Sequence, residues 1–242
     1  MVSDKPLIAV IWDYDGTLVD TRHKNLNVTR KIIEKITKRR ADEFPMLDSV
    51  EKHHRTNMET LNWRKLYREE FEFSEEQVNE AGSLWTEYQL NDHTPVKVFD
   101  GIRDGMISIG NIPQGIVSQN SKSNVKRQLE SDGLIKYFSQ IIGYEEVAMD
   151  KQKPEPDGLI SCIKELSEYE EGTIFYIGDH ETDIQCATRA NQVLIETELN
   201  VLSIGIQYGS QFYSSKWNTQ PDFEANTVQE LFDIIIKYRT KK

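Results

Sequence analysis

The chain has 242 residues, 38% of them apolar and 29% charged, and 29 Lys plus Arg stand against 40 Asp plus Glu for a net charge of -11. That is enough apolar material for one large domain, or for one domain with an insert. The negative balance argues against phosphate-backbone binding to nucleic acid as the main task, and a small anionic substrate would need a local positive site.

Leu7 to Trp12 is an unbroken apolar run that ends in Asp13-Tyr14-Asp15-Gly16-Thr17. A short, partly β-branched run predicts a strand buried on both faces. The charges begin where the apolar run ends, so the carboxylates belong at the strand's C-terminal edge, where open parallel sheets place their ligands. Gly16 allows a sharp turn directly after them. Two carboxylates this close repel each other unless a cation lies between them, and oxygen donors of this kind suit Mg²⁺.

From about Thr21 to Asn91 the patterns are helical. Leu26, Ile32, Ile33 and Ile36 stand among basic residues. Ser74 with Gln77 forms a capping box, and Val78, Ala81, Trp85 and Tyr88 share a face. Residues 20–94 therefore read as a helical cap inserted into a core of residues 1–19 and 95–242, placed as a lid. His53, His54, Arg55, Arg64 and Arg68 form either a substrate-facing surface or a solvated charged one.

Strands and helices then alternate. Ile102 to Ile109 reads as a helix ended by Gly110, and Gly115 to Ser118 as a strand running into Gln119-Asn120-Ser121. A helix carries Val125 and Leu129, and Ser139 to Gly143 is a further strand. Lys151-Gln152-Lys153-Pro154-Glu155-Pro156 is a rigid loop opening a helix with Pro156 at its first position. Thr173 to Ile177 is a buried strand ending in Gly178-Asp179-His180-Glu181-Thr182-Asp183, followed by a helix through Ile184, Ala187 and Ala190. Gln192 to Asn200 reads as extra loop after Asn191, which suits a left-handed turn. Val201 to Ile206 is the last predicted strand. Gln207 to Ala225 has no assignable element, and Thr227 with Glu230 caps a terminal helix. The rhythm predicts an α/β fold, a doubly wound parallel sheet with a Rossmann-like core.

Cys162 and Cys186 match no metal or redox spacing and read as small core residues, consistent with a reduced, cytoplasmic setting. No signal-peptide pattern precedes the first strand, and no apolar run approaches the roughly 20 residues of a membrane span. Neither nucleic acid nor membrane is an expected partner, and a monomer or homodimer is expected.

Asp13 with Asp15, Ser118, Lys153, and Asp179 with Asp183 lie at or beside strand ends that such a sheet brings to one edge. The set suits phosphoryl transfer. An aspartate attacks phosphorus, a second carboxyl group handles the proton, and a metal with a lysine offsets the charge on the transferred oxygens.

In the order Asp13-x-Asp15-Gly16-Thr17, Ser118, Lys153-Pro154-Glu155-Pro156 and Gly178-Asp179 to Asp183, the chain resembles the haloacid dehalogenase superfamily, and within it phosphoglycolate-phosphatase-like hydrolases with a helical first-type cap. The resemblance implies that Asp13 is the nucleophile and that Asp15 protonates the leaving group and then activates water. It implies that Ser118, Gln119 and Lys153 bind the phosphoryl group of a small phosphorylated metabolite. Asp13, the backbone carbonyl of Asp15, and Asp179 would ligate Mg²⁺, and Asp183 would hold a water on the ion. Asp15 favours phosphate esters over halides. The alternatives are a phosphomutase of the β-phosphoglucomutase type and, from another class, a phospho-aspartate signalling receiver. A receiver has no use for Asp15 or for a helical insert of this size.

Overall fold

The computed structural model of the chain describes residues 5–60, 62–166, 171–209 and 216–239. The chain divides into two compact units, Met1–Val19 with Val98–Lys242, and Asp20–Lys97.

The larger unit is built on a parallel sheet that has six strands among the described residues. These are β1 (Leu7–Trp12), β4 (Gln114–Val117), β5 (Gln140–Ile142), β6 (Glu171–Gly178), β7 (Glu198–Ile206) and β8 (Phe223–Ala225), in the order β5-β4-β1-β6-β7-β8. The chain moves outward from β1 through β4 to β5, then crosses back to place β6 on the other side of β1. The strand order thus reverses around β1, the place where doubly wound sheets bind ligands beyond their C-terminal ends. A separate two-stranded ladder joins β2 (Val19–Asp20) to β3 (Lys97–Val98).

Period-two alternation divides the β6 side chains between two cores. Ile174 and Tyr176 join Ile11, Val117 and Val201 in a buried cluster with α7 (Asp157–Leu166) and α8 (Glu181–Val193), where Leu159, Cys162, Ile163, Cys186 and Ala190 supply the helical faces. Phe175 faces the other way, its ring 5.0 Å from that of Tyr238 on α9 (Val228–Arg239), while Trp12 packs 5.8 Å from Phe232. Helices therefore cover both faces, as the alternating pattern predicts. Both cysteines are buried and free. Two further helices, α5 (Ile102–Ser108) and α6 (Lys122–Ser131), complete the unit.

Two expectations fail here. The stretch after Ala190 is not an extra loop: α8 continues to Val193 and β7 begins at Glu198, so only four residues connect them. Asn191 is helical rather than a left-handed turn, and its amide clamps the backbone of Val201 in both directions, at 2.7 and 2.8 Å. The polar composition of 192–200 hid an exposed helix end and an exposed strand start. The Gln207 to Ala225 stretch, of which 210–215 lie outside the described residues, contains β8. Its position follows from Asp222, whose carboxylate accepts both the N–H and the hydroxyl of Ser203 on β7, each at 2.8 Å.

The smaller unit consists of α1 (Arg22–Thr37), α2 (Val50–Thr60), α3 (Trp63–Glu70) and α4 (Glu75–Asn91). Leu26, Ile32 and Ile33 of α1 and Val78 and Ala81 of α4 bury against an aromatic group of Phe44, Tyr67, Phe71 and Phe73. Ser74 caps α4 through the predicted reciprocal bonds with Gln77. Among the described residues no helix is long and apolar enough to cross a membrane.

Candidate active site

Three neighbouring strands, β4, β1 and β6, end in Ser118, Asp13 and Asp179. The N–H of Asp13 donates to the carbonyl of Ile177 at 2.7 Å, which carries the β1–β6 ladder one step beyond Trp12 and sets Asp13 beside the end of β6. The chain then turns back, with Leu18 N–H on the carbonyl of Tyr14 at 3.0 Å and Gly16 N–H on that of Val19 at 2.9 Å. Gly16 has φ +81°, and a Cβ there would lie 2.0 Å from a carboxylate oxygen of Asp179. Gly178 is under the same constraint from Asp183, at 2.2 Å. Both glycines are therefore required for carboxylates to sit against the main chain.

Asp183 reaches the site from the first turn of α8, where its carboxylate accepts the N–H of His180 at 3.2 Å. Lys153 comes from the loop before α7. Its ammonium lies 2.6 Å from Asp13 and 2.7 Å from Asp183. The loop is tied on several sides. Gln119 donates to the carbonyl of Lys153 at 3.1 Å, Gln152 donates to that of Tyr144 at 3.0 Å, and Arg189 pairs with Glu155. Pro156 precedes the first helical residue by one, its carbonyl accepting the N–H of Ile160.

The four charged groups are nearly water-free, with exposures of 8% for Asp13, 6% for Lys153, 7% for Asp179 and 2% for Asp183. Burial pushes Asp13 up to about 7. Asp183 and Asp15 push the same way, and Lys153 resists. Burial likewise drives Asp179 well above the usual carboxylate range, helped by Asp13 and Asp183. Burial works against the ammonium of Lys153, but Asp13 and Asp183 outweigh it and hold it protonated. One ammonium among three carboxylates leaves an excess of negative charge in a dry site.

Asp13, Asp179 and Asp183 each offer an oxygen within 4.8 Å of the others. Hard oxygen donors, charge excess and burial together fit a divalent cation such as Mg²⁺. The carboxylate of Asp15 is not one of the three. Asn120 donates to both of its oxygens, at 3.2 and 3.0 Å. The resemblance assigned the ion to the backbone carbonyl of Asp15, which does not conflict with that placement.

Ser118 is buried, and its hydroxyl accepts the N–H of Asn120 at 3.0 Å. Ser118, Gln119 and Lys153 line one narrow crevice with room for little more than a water molecule. The side-chain amide of Gln119 is spent on the lysine loop. Lys151, the neighbour that could have been confused with Lys153, is half exposed and pairs with Asp157 at 3.6 Å. In the helical unit Arg64 stacks over Trp63 and donates to Asn79, Arg68 pairs with Glu75, His53 is buried and Arg55 is exposed.

No sequence pattern assigns a role to Asn120 or Tyr208. The Tyr208 hydroxyl donates to the carbonyl of Thr17 at 2.7 Å, and Gly209 lies against the backbone of Gly16. Asn120 sat in plain view two residues after Ser118. Tyr208 lies 191 residues from Thr17, and no local pattern announces such a contact.

A family profile for haloacid dehalogenase-like hydrolases matches residues 10–195. A pyrophosphatase PpaX from Listeria monocytogenes is 23% identical over 236 residues, spanning 95% of this chain and 96% of the relative. A pyrophosphatase PpaX from Oceanobacillus iheyensis is 28% identical over 194 residues, or 75% of this chain and 79% of the relative. Among solved structures, a haloacid dehalogenase-like family hydrolase from Streptococcus pneumoniae superimposes with a TM-score of 0.70 at 16% identity, covering 95% of this chain and 98% of that one.

Proposed function

The chain belongs to the haloacid dehalogenase-like hydrolase family, and from that premise we propose that it is a Mg²⁺-dependent phosphatase acting through an aspartyl-phosphate. The observation that carries this reading is the ammonium of Lys153 lying between Asp13 and Asp183 beside Asp179. A carboxylate nucleophile needs an attacking oxygen, and the incoming phosphoryl group needs positive charge beside it.

In this reading an Asp13 carboxylate oxygen attacks phosphorus while the bond to the leaving oxygen breaks. Asp15 gives that oxygen its proton. Water then attacks the aspartyl-phosphate, Asp15 takes its proton, and inorganic phosphate leaves. Lys153 offsets charge on the phosphoryl oxygens, and the Ser118 hydroxyl donates to one of them. Asp13, Asp179 and Asp183 would hold Mg²⁺, which when bound supplies further compensation for the charge on the phosphoryl group. Burial of the site makes each of these electrostatic contributions larger than it would be in water. The helical unit Asp20–Lys97 is assigned the choice of substrate. The substrate is a small phosphorylated compound, with pyrophosphate or a phosphomonoester such as 2-phosphoglycolate as the leading candidates, and the activity is assigned to the cytoplasm.

Phosphate release from p-nitrophenyl phosphate, pyrophosphate and 2-phosphoglycolate, each with and without Mg²⁺, tests the reading. Release that depends on the metal is expected from at least one. No release from any of the three under either condition would overturn it.

A further inference from the structure

We propose that Asn120 is a positioning residue that fixes the carboxylate of Asp15 in the orientation its proton transfers require. The proposal rests on the acid–base role given to Asp15 above. Asn120 is 2% exposed, and every polar group it carries is engaged. Its N–H donates to Ser118 Oγ at 3.0 Å and its carbonyl accepts the N–H of Tyr144 at 3.2 Å. Its side-chain oxygen accepts the N–H of Ser121 at 2.8 Å and the amide of Asn124 at 3.2 Å. Its side-chain nitrogen straddles the two oxygens of Asp15 at 3.2 and 3.0 Å.

The chemistry permits one orientation of this amide. Flipping it would set its oxygen against a carboxylate and its nitrogen against the N–H of Ser121, replacing attractive contacts with repulsive ones on both sides. A nitrogen placed across both oxygens restrains rotation of the carboxylate plane. It also offers Asp15 donors and no acceptor. The backbone N–H of Asn120 meets Ser118, so this one residue, through its main chain and its side chain, ties the ends of β4 and β1 into one arrangement.

Leaving groups distinguish positioning from general support of the fold. Departure of an alkoxide from an alkyl phosphate needs the acid, whereas p-nitrophenolate leaves with little help. The measurement is kcat/KM, which reports the steps through departure of the leaving group, for an alkyl phosphate that the wild type hydrolyses and for p-nitrophenyl phosphate. Asn120→Ala should lower kcat/KM on the alkyl ester by roughly 10²-fold and on the aryl ester by less than about 10-fold. Asn120→Asp keeps the size and the acceptors for Ser121 and Asn124 while removing the donor. It should show the same selective loss, which guards against an alanine variant that fails to fold. Equal losses on both esters, or no loss on either, would overturn the proposal while leaving the phosphatase reading intact. A wild type that releases phosphate from neither ester, nor from pyrophosphate or 2-phosphoglycolate, removes the acid role itself, and both readings fall together.

Discussion

The two units treat charge in opposite ways. In the helical unit, charged side chains pair at the surface: Arg39 with Glu43, Lys52 with Asp48, Lys65 with Glu69, Arg68 with Glu75. Its interior is mainly aromatic and aliphatic, although Lys24, His53 and Asp92 are also buried, Asp92 paired with Lys31. Exposed pairs of this sort contribute little, typically under about 1 kcal/mol, because water and salt screen them. In the α/β unit, three carboxylates and one ammonium are buried together at the strand ends. Removing ions from water costs several kcal/mol each, and one ammonium cannot neutralise three carboxylates. Hence the same residue types cost little in one unit and a great deal in the other.

The largest effect should come from Asp13→Asn. Turnover should fall by at least roughly 10³-fold, as expected when an attacking group is removed. The same change takes one charge from a crowded anionic site, so the unfolding temperature of the metal-free protein should rise. A fall in both activity and unfolding temperature would mean that Asp13 serves the fold.

Next is Lys153→Ala. It strands Asp13 and Asp183 without their ammonium and should cost about 3 kcal/mol or more in stability, with a loss of activity of roughly 10²-fold or greater. Lys151→Ala, removing an exposed pair, should change stability by less than about 0.5 kcal/mol. Comparable effects of the two changes, measured by denaturant unfolding and phosphate release, would erase the contrast between buried and exposed charge.

These four buried charges were legible in the sequence because each ends or follows an apolar run, or opens a helix, in a fixed order. Asp13 and Asp179 follow β1 and β6, and Lys153 precedes a proline-bounded turn. Contacts across the sheet were not legible. Nothing local marks Asn120 as a partner of Asp15, which lies 105 positions earlier, or Tyr208 as a partner of Thr17. The misread stretch after Ala190 shows the same limit. Asn191 was judged by its own turn preference, whereas its partner is Val201 on the next strand. β8 was missed because three residues, mostly exposed or half exposed, give too short a pattern to recognise.

His53 is one of the buried polar side chains of the helical unit, with Lys24 and Asp92. Burial, with His54 and Arg30 nearby, lowers its imidazole from the ordinary value to about 4. Its neutral form is the folded one, while the unfolded chain takes up a proton near pH 6.5. Stability is therefore full above about pH 6.5 and falls as the pH drops toward 4, by on the order of 3 kcal/mol from this residue alone. Unfolding of the wild type and of His53→Gln across that range should diverge, with the variant the flatter of the two. Parallel curves would show that His53 does not titrate differently on folding. The smallest effect is expected from Arg68→Ala, a slight loss of stability in urea unfolding that shrinks further with added salt.

The most direct test is a crystal structure of the protein grown with Mg²⁺ and beryllium fluoride, whose adduct with a carboxylate mimics an aspartyl-phosphate. The expected result is the adduct on Asp13 and one ion shared by Asp13 and Asp179. An adduct on another carboxylate, or an ion that leaves residues 13 and 179 unbridged, would contradict it.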